Sequence, residues 1–155
     1  MEKVVRQINI GLNAHEAFDT FVNNFNDWWP KEYTWSKDSL EEIKIETKID
    51  GLCTEIGPYG FRCDWGRVTD YIPGKTIRFT WQIGPEREPV PNPEKAGHVT
   101  LDFHMKGNDR TAIELKHVDF YKYGEQGSEY CKMMGSDQGW KYILDCFKNY
   151  CSERR

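Results

Sequence analysis

The sequence predicts an α+β protein in which a curved antiparallel β-sheet of about six to seven strands wraps around a long C-terminal helix, with one or two short helices after the first strand. Apolar and polar residues alternate in short segments between residues 4 and 117, as in half-buried strands. In segments 18–25 and 140–147 the apolar residues instead recur at helical spacing. We expect residues 1–155 to form a single domain, because a chain of this length buries about two-thirds of its unfolded surface in one core.

The N-terminal segment predicts a strand followed by a helix. The strand covers 4–10, and Asn13 then precedes Glu16 by three residues, an arrangement close to a capping box. The predicted helix carries an inward stripe formed by Phe18, Phe21, Val22 and Phe25. The sequence Trp-Trp-Pro at 28–30 ends it, since proline cannot continue a helix. We expect these two indoles either to form the wall or lid of an apolar cavity or to pack against the edge of the sheet.

The middle of the chain predicts an antiparallel meander. Alternation runs through 40–49, through 61–83 with a break at 73–74, and through 99–105 and 111–117. Turns are predicted at 50–51, 57–60 and 107–109. One face of the second strand in 61–83 is expected to be inward (Ile77, Phe79, Trp81, Ile83) and the other to face water (Arg78, Thr80, Gln82). The loop 84–97 contains four prolines and is expected to cover one mouth of a cavity.

A final helix is predicted over 136–150, with Ser136 as its N-cap. Its apolar stripe consists of Trp140, Ile143, Leu144 and Phe147. Where this stripe faces the inward residues of the sheet, we expect a cavity of roughly 300 Å³ or more.

Composition excludes several classes of function. The formal charge of −4, from 21 basic and 25 acidic residues, disfavours nucleic acid and anionic lipid as partners. No window approaches the length of a membrane span, and residues 1–10 lack the features of a signal peptide, so we expect a cytoplasmic protein. Five cysteines without a C-x-x-C pair predict reduced thiols, even for Cys53 and Cys63 across a hairpin. The charged tail 153–155 is expected to be solvated.

Several motifs together resemble those of one protein family. An A-F-x-x-F helix leads into W-W-P at 28–30, W-G-x-V follows at 65–68, and P-x-K-x-I-x-F-x-W occupies 73–81. The pattern T-x-I-x-L-x-H follows at 111–117, and G-W at 139–140 opens the last helix. This combination is similar to the branch of the START-related helix-grip superfamily (SRPBCC) that is named after the activator of the Hsp90 ATPase. The resemblance implies a helix-grip fold. Members often follow the histidine with x-G-F, whereas Val118-Asp119-Phe120 lacks that glycine.

The four histidines offer little chemistry from the sequence alone. His98 and His104 lie six residues apart in one strand, about 20 Å, so they cannot share an ion. We interpret both, and His15, as solvated surface histidines. His117 shares a strand face with Thr111, Ile113 and Leu115 and therefore points inward. It is either a core histidine bonded to a backbone carbonyl or tyrosine hydroxyl, or a group that orients a ligand or moves a proton.

The sequence predicts non-catalytic binding of a small, largely apolar, aromatic or lipid-like molecule between the sheet and the last helix. No catalytic residue, metal or cofactor is predicted. A homodimer and a chaperone partner stay open. The alternatives are a co-chaperone-like activator of the Hsp90 ATPase, implied by the resemblance, and a cyclase or hydrolase that uses His117. The predicted ligand-binding residues are Trp29, Phe61, Trp65, Phe79, Trp81, Phe103, His117, Trp140, Ile143 and Leu144.

Overall fold

A computed structural model describes residues 2–153. Seven strands form one antiparallel sheet in the order β1-β7-β6-β5-β4-β3-β2. The strands are β1 Val4–Ile10, β2 Glu42–Ile45, β3 Leu52–Ile56, β4 Arg62–Ile72, β5 Thr76–Trp81, β6 Gly97–Gly107 and β7 Arg110–Val118. The α-helices are α1 Ala14–Asn23, α2 Phe25–Trp28, α3 Gly127–Met134 and α4 Trp140–Glu153. The predicted helix-grip architecture is confirmed. The single-domain organisation stays a prediction, and Arg154 and Arg155 of the predicted solvated tail lie outside the described residues.

The predicted N-terminal helix begins as expected and is then interrupted. Asn13 Oδ1 accepts a hydrogen bond from the Glu16 amide at 2.9 Å, and Asn13 Nδ2 donates to Glu16 Oε1 at 2.7 Å. The helix breaks at Asn24, which separates α1 from α2. Both indoles after the break are buried: Trp28 is 4% exposed and Trp29 is 6% exposed. Both rings therefore belong to the buried core.

Aromatic rings fill the concave side of the sheet. Phe21 of α1 packs against Phe103 of β6 and Phe147 of α4, with ring centroids 5.9 and 5.1 Å apart. Phe25 of α2 stacks on Trp29 and Trp65 at 4.7 and 5.5 Å. Ring pairs at these separations add to the free energy of apolar burial. These rings therefore join α1, α2 and α4 to the sheet in one core.

Two expectations about the strands are wrong. The strand predicted at 40–49 ends at Ile45, and Ile49 is 54% exposed because it lies in the turn into β3. Thr80 and Gln82 do not face water: they are 3% and 6% exposed. The proline-rich loop folds back over them, and Gln82 Nε2 donates to the Val90 carbonyl at 3.0 Å while Thr80 Oγ1 donates to Gln82 Oε1 at 2.6 Å.

The C-terminal region differs most from expectation. The last helix begins at Trp140, and Ser136 does not cap it, because its hydroxyl donates to the Met133 carbonyl at the end of α3. Gly139 lies in the segment between the two helices. Any other residue would clash there, because its Cβ would lie 2.2 Å from the Met134 carbonyl oxygen. α3 itself was not predicted. Its apolar residues, Tyr130, Cys131, Met133 and Met134, are confined to its C-terminal half, which is too short to give a recognisable helical stripe.

Two smaller points concern β3, β4 and the end of β7. Cys53 lies opposite Gly66 and Cys63 opposite Glu55, so these two thiols do not face each other, and neither forms a disulfide. Asp119 adopts φ +64°, the left-handed conformation that aspartate tolerates better than most residues. The backbone therefore takes a glycine-like path without glycine.

Within residues 2–153, no helix has both the length and the apolar character needed to cross a membrane.

Candidate functional site

A cavity of about 490 Å³ opens at the end of the sheet where β5 stops. It is bounded by β5 and the loop after it, by the segment that follows α2, by α3, and by the start of α4. Most of the surrounding groups are aromatic or apolar. The lining residues are Trp29, Tyr33, Trp81, Ile83, Gly84, Pro85, Arg87, Tyr130, Lys132, Met133, Met134, Ser136, Gln138, Gly139 and Ile143.

Hydrogen bonds hold β5 against α3 on one wall of the cavity. Trp81 Nε1 donates to the Tyr130 hydroxyl at 2.7 Å, and that hydroxyl donates to the Ile83 carbonyl at 2.6 Å. Burial raises the pKa of Tyr130 well above its usual range. The phenol therefore stays neutral, and its position is fixed by two partners. The wall is formed before any ligand arrives.

His117 lies behind this wall and is completely buried. Its Nδ1 accepts a hydrogen bond from Trp140 Nε1 at 3.0 Å. The proton of the neutral ring is therefore on Nε2, which lies 3.1 Å from the Tyr123 hydroxyl, and that hydroxyl donates to the Trp81 carbonyl at 2.7 Å. Burial, with a smaller contribution from nearby His98, lowers the pKa of His117 to about 3. Both ring nitrogens have a partner within the protein, which is the arrangement expected of a core histidine.

Tyr33, Trp35 and Arg87 form a hydrogen-bonded rim at the mouth of the cavity. The Tyr33 hydroxyl donates to the Gln138 carbonyl at 2.7 Å, which joins this segment to the start of α4. Trp35 Nε1 donates to the Arg87 carbonyl at 2.7 Å, and the Arg87 guanidinium donates to the Tyr33 carbonyl. The rim therefore ties three separate segments of the chain together.

A buried carboxylate anchors the rim to the sheet. Glu55 of β3 is 1% exposed. Its Oε1 accepts from the Trp35 amide at 3.1 Å, and its Oε2 accepts from the Ser36 amide at 2.8 Å and from the Ser36 hydroxyl at 2.7 Å. Buried charge is tolerated when several donors satisfy it. This Glu55 anchor fixes where Trp35 and, through it, Tyr33 can lie.

Comparison with known proteins assigns the family. The family described as activator of Hsp90 ATPase homolog 1-like protein matches residues 34–152, most of the chain. The chain belongs to this family. The match begins after the Trp-Trp-Pro sequence at 28–30, so that motif lies outside it. No curated protein sequence matches this chain significantly.

Solved structures share the fold of this Hsp90-activator-like chain at low identity. The anthrahydroquino-γ-pyrone synthase Txn09, solved in complex with SUM, is 23% identical with a TM-score of 0.66, and 96% of each chain is covered. The self-sacrificing resistance protein CalC from Micromonospora echinospora is 22% identical with a TM-score of 0.68, covering 98% of this chain and 95% of that one. The Aha1 dimer from Colwellia psychrerythraea is 14% identical with a TM-score of 0.62, covering 96% and 95%. At these identities the likeness shows the fold alone.

Three of the ten predicted ligand-binding residues line the cavity of this family member, namely Trp29, Trp81 and Ile143. Six others are buried core residues outside the lining: Trp65, Phe79, Phe103, His117, Trp140 and Leu144. Phe61 is 39% exposed on the hairpin between β3 and β4, with its ring 6.4 Å from that of Trp35. A binding role for all ten stays a prediction. The family motifs are thus largely packing residues, and the cavity lies at their edge.

Sequence reasoning missed the lining residues of α3 and the rim. Tyr33 lies three residues after Pro30, which is expected only to end a helix. The residues between them show no periodicity that would predict a role for Tyr33. The loop 84–97 was expected to cover a cavity mouth, and Gly84, Pro85 and Arg87 do line it. The signal available for α3 was weak: Tyr130 and Met134 are spaced four residues apart, as on one helix face.

The remaining histidines are divided between the surface and partly buried sites. His15 and His104 are exposed as expected, whereas His98 is half-buried with its Nδ1 3.5 Å from Asp119 Oδ2. Burial lowers the pKa of His98, with a further contribution from the positive charge of Arg78. On the outer face of β6 and β7, ligand atoms of Asp102, His104 and Glu114 lie within 4.8 Å of one another. Such exposed acidic groups are common without an ion, and they lie away from the cavity.

Proposed function

We propose that this protein binds a small, largely apolar, aromatic molecule in the cavity between β5, α3 and α4 without transforming it. The supporting observation is the cavity of about 490 Å³, whose walls are two indoles, two phenols and several aliphatic and thioether groups. Ligand sites of this size are typically apolar with a few polar groups that set orientation. Here Tyr33 and Tyr130 provide such groups, and both are already fixed by hydrogen bonds to the protein.

The protonation chemistry of the cavity also favours binding over catalysis. Burial raises the pKa values of Tyr33 and Tyr130, and the other ionisable lining groups in the described chain are Arg87 and Lys132. A general base for neutral pH needs a free lone pair and a pKa near 7. His117 has neither, because Trp140 occupies Nδ1 and its pKa is about 3. This argues against a cyclase or hydrolase that uses His117.

Activation of a chaperone ATPase is the second candidate function, and the family match favours it. A partner would have to contact exposed residues, because Trp28 and Trp29 are buried in the core. Replacing Trp29 cannot separate the two functions: its ring contacts Phe25, Trp65 and Trp140, so its loss would also weaken the fold. A variant that separates the two functions has to change the mouth of the cavity and leave the core intact.

Met133→Trp is such a variant, and we expect it to block ligand entry. Met133 lines the cavity but is 54% exposed, so a larger ring there fills the mouth without disturbing the core. Titration with the neutral fluorescent probe N-phenyl-1-naphthylamine should show saturable binding to the wild type. The affinity should fall more than about tenfold in Met133→Trp, which corresponds to about 1.4 kcal/mol.

Ile49→Trp is the matched control, because Ile49 is 54% exposed, as Met133 is, and does not line the cavity. Its affinity for the probe should stay within about twofold of the wild type. Equal losses in both variants, or no saturable binding by the wild type, would contradict the proposal. Stimulation of a chaperone ATPase that survives Met133→Trp would favour the second function instead.

A further inference from the structure

The cavity carries positive charge and no negative charge on its lining. Arg87 of the loop after β5 and Lys132 of α3 both line it, and none of its other lining residues has a carboxylate. The protein as a whole has the opposite balance, with a formal charge of −4. The charged residues of the lining are therefore opposite in sign to the net charge of the protein. Both are exposed at the mouth, where the head group of a bound molecule would lie.

The backbone and side chain of Arg87 are held in place at this mouth. The residue has φ +65°, and its carbonyl accepts the Trp35 indole N–H at 2.7 Å. One arm of the guanidinium donates to the Tyr33 carbonyl. A guanidinium has five N–H donors, so several stay available to a ligand beyond the hydrogen bonds of the described chain. Burial raises the pKa of both phenols of the cavity most, and a nearby carboxylate raises it further, Glu32 at Tyr33 and Glu88 at Tyr130; the charge of Arg87 lowers both pKa values by a smaller amount.

Three carboxylates, those of Glu32, Glu88 and Glu129, lie close to the mouth without lining it. Glu129 is 3.4 Å from Lys132, but both side chains are highly exposed, at 75% and 72%, so solvent screens this pair strongly. Glu88 is beside Gly84, and its Oε1 accepts the Glu86 amide at 2.8 Å within the loop. None of the three belongs to the lining, whose only charged side chains within the described residues are the cations Arg87 and Lys132. Glu129 does compete with a ligand for Lys132.

We propose that the ligand of this cavity is an amphipathic aromatic anion. Its rings would lie against the indoles of Trp29 and Trp81, and its carboxylate or sulfonate group would reach Arg87 and Lys132. Indoles favour offset or edge contacts with other rings, and arginine binds planar anionic groups through paired N–H donors. This inference rests on the proposed function and adds to it the charge of the ligand.

A pair of probes with the same rings tests the charge alone. 8-Anilinonaphthalene-1-sulfonate carries the rings of N-phenyl-1-naphthylamine plus one sulfonate. We expect Arg87→Gln and Lys132→Gln each to weaken binding of the sulfonate roughly threefold to tenfold, as expected for one charge pair at a partly solvated site. Binding of the neutral probe should change less than about twofold. Glu129→Gln should tighten the sulfonate, because it frees Lys132.

Matched controls separate charge at the mouth from net charge. Arg110→Gln and Lys148→Gln remove exposed cations outside the cavity and should leave both probes unaffected. Arg87→Lys should keep most of the sulfonate affinity, and Lys132→Gln tests the charge even if a change at Arg87 disturbs the loop. Raising the salt from about 0.01 to about 1 M should weaken the sulfonate alone, since the screening length falls from about 30 to about 3 Å.

The outcomes distinguish this inference from the proposed function. If the neutral probe saturates and both probes respond equally to Lys132→Gln and to salt, the anion preference is overturned while cavity binding stands. If the neutral probe never saturates with the wild type, the proposed function and this inference both fail. A selective loss of the sulfonate in Lys132→Gln and a gain in Glu129→Gln would support the inference.

Discussion

Lowering the pH from 7 to 5 is expected to remove about 2 kcal/mol from the free energy of unfolding through His117 alone. The folded protein keeps this histidine neutral down to a pKa of about 3. In the unfolded chain its pKa is near 6.5, so the unfolded state takes up a proton first as the pH falls. The contribution is complete above pH 6.5 and is lost progressively, at about 1.4 kcal/mol per pH unit, as the pH falls towards 3.

His117→Gln provides the reference for this measurement. Glutamine can accept the Trp140 N–H and donate to Tyr123 but does not titrate. Urea unfolding at pH 7 and pH 5 should show that the wild type loses about 2 kcal/mol more than the variant, because all other titrating groups are shared. Parallel losses in the two proteins would show that His117 is protonated in the folded state, and the structural role assigned to it would then be wrong.

Glu55→Ala is expected to lower the free energy of unfolding by about 3–5 kcal/mol. The carboxylate satisfies the amides of Trp35 and Ser36 and the Ser36 hydroxyl, and it is 1% exposed. Removing it leaves these donors without their acceptor in a site that solvent does not reach. Because the Glu55 anchor holds the rim, the affinity for N-phenyl-1-naphthylamine should fall as well.

Chemical unfolding of Glu55→Ala beside Glu42→Ala checks this effect. Glu42 is an exposed glutamate of the neighbouring strand β2, 3.8 Å from Lys44 across a solvent-screened pair. Its loss should change the free energy of unfolding by less than about 0.5 kcal/mol. A similar small change at Glu55 would mean that water replaces the carboxylate, and the proposed anchoring of the rim would have to be abandoned.

The sheet could be predicted from the sequence because each strand alternates in its own residues. β1, β5, β6 and β7 lie where the alternation and the turns place them. Thr80 and Gln82 were assigned to the wrong environment because the loop that buries them comes later in the chain and covers the outer face. The alternation of apolar and polar residues within this segment gives no information about that contact.

The site was less predictable for the same physical reason. The composition indicated an aromatic interior, but which rings would fill it and which would border a cavity depends on packing between distant elements. Trp65 and Trp140 are core residues, whereas Trp29 and Trp81 border the cavity, although all four belong to similar motifs. The rim depends on a single buried carboxylate, Glu55, which in the sequence is one acidic residue among 25.

The pairing of β1 with β7 has a consequence for how the protein is made. Val4 lies opposite His117, and Ile10 lies opposite Thr111. At a translation rate of about 5–20 residues per second, the first strand leaves the ribosome roughly 5–25 s before its partner is complete. Contacts this distant in sequence also slow folding, because the intervening chain must be ordered first. β1 therefore waits longest of the seven strands for its neighbour, and the cavity cannot be complete before Ile143 of α4 has been synthesised.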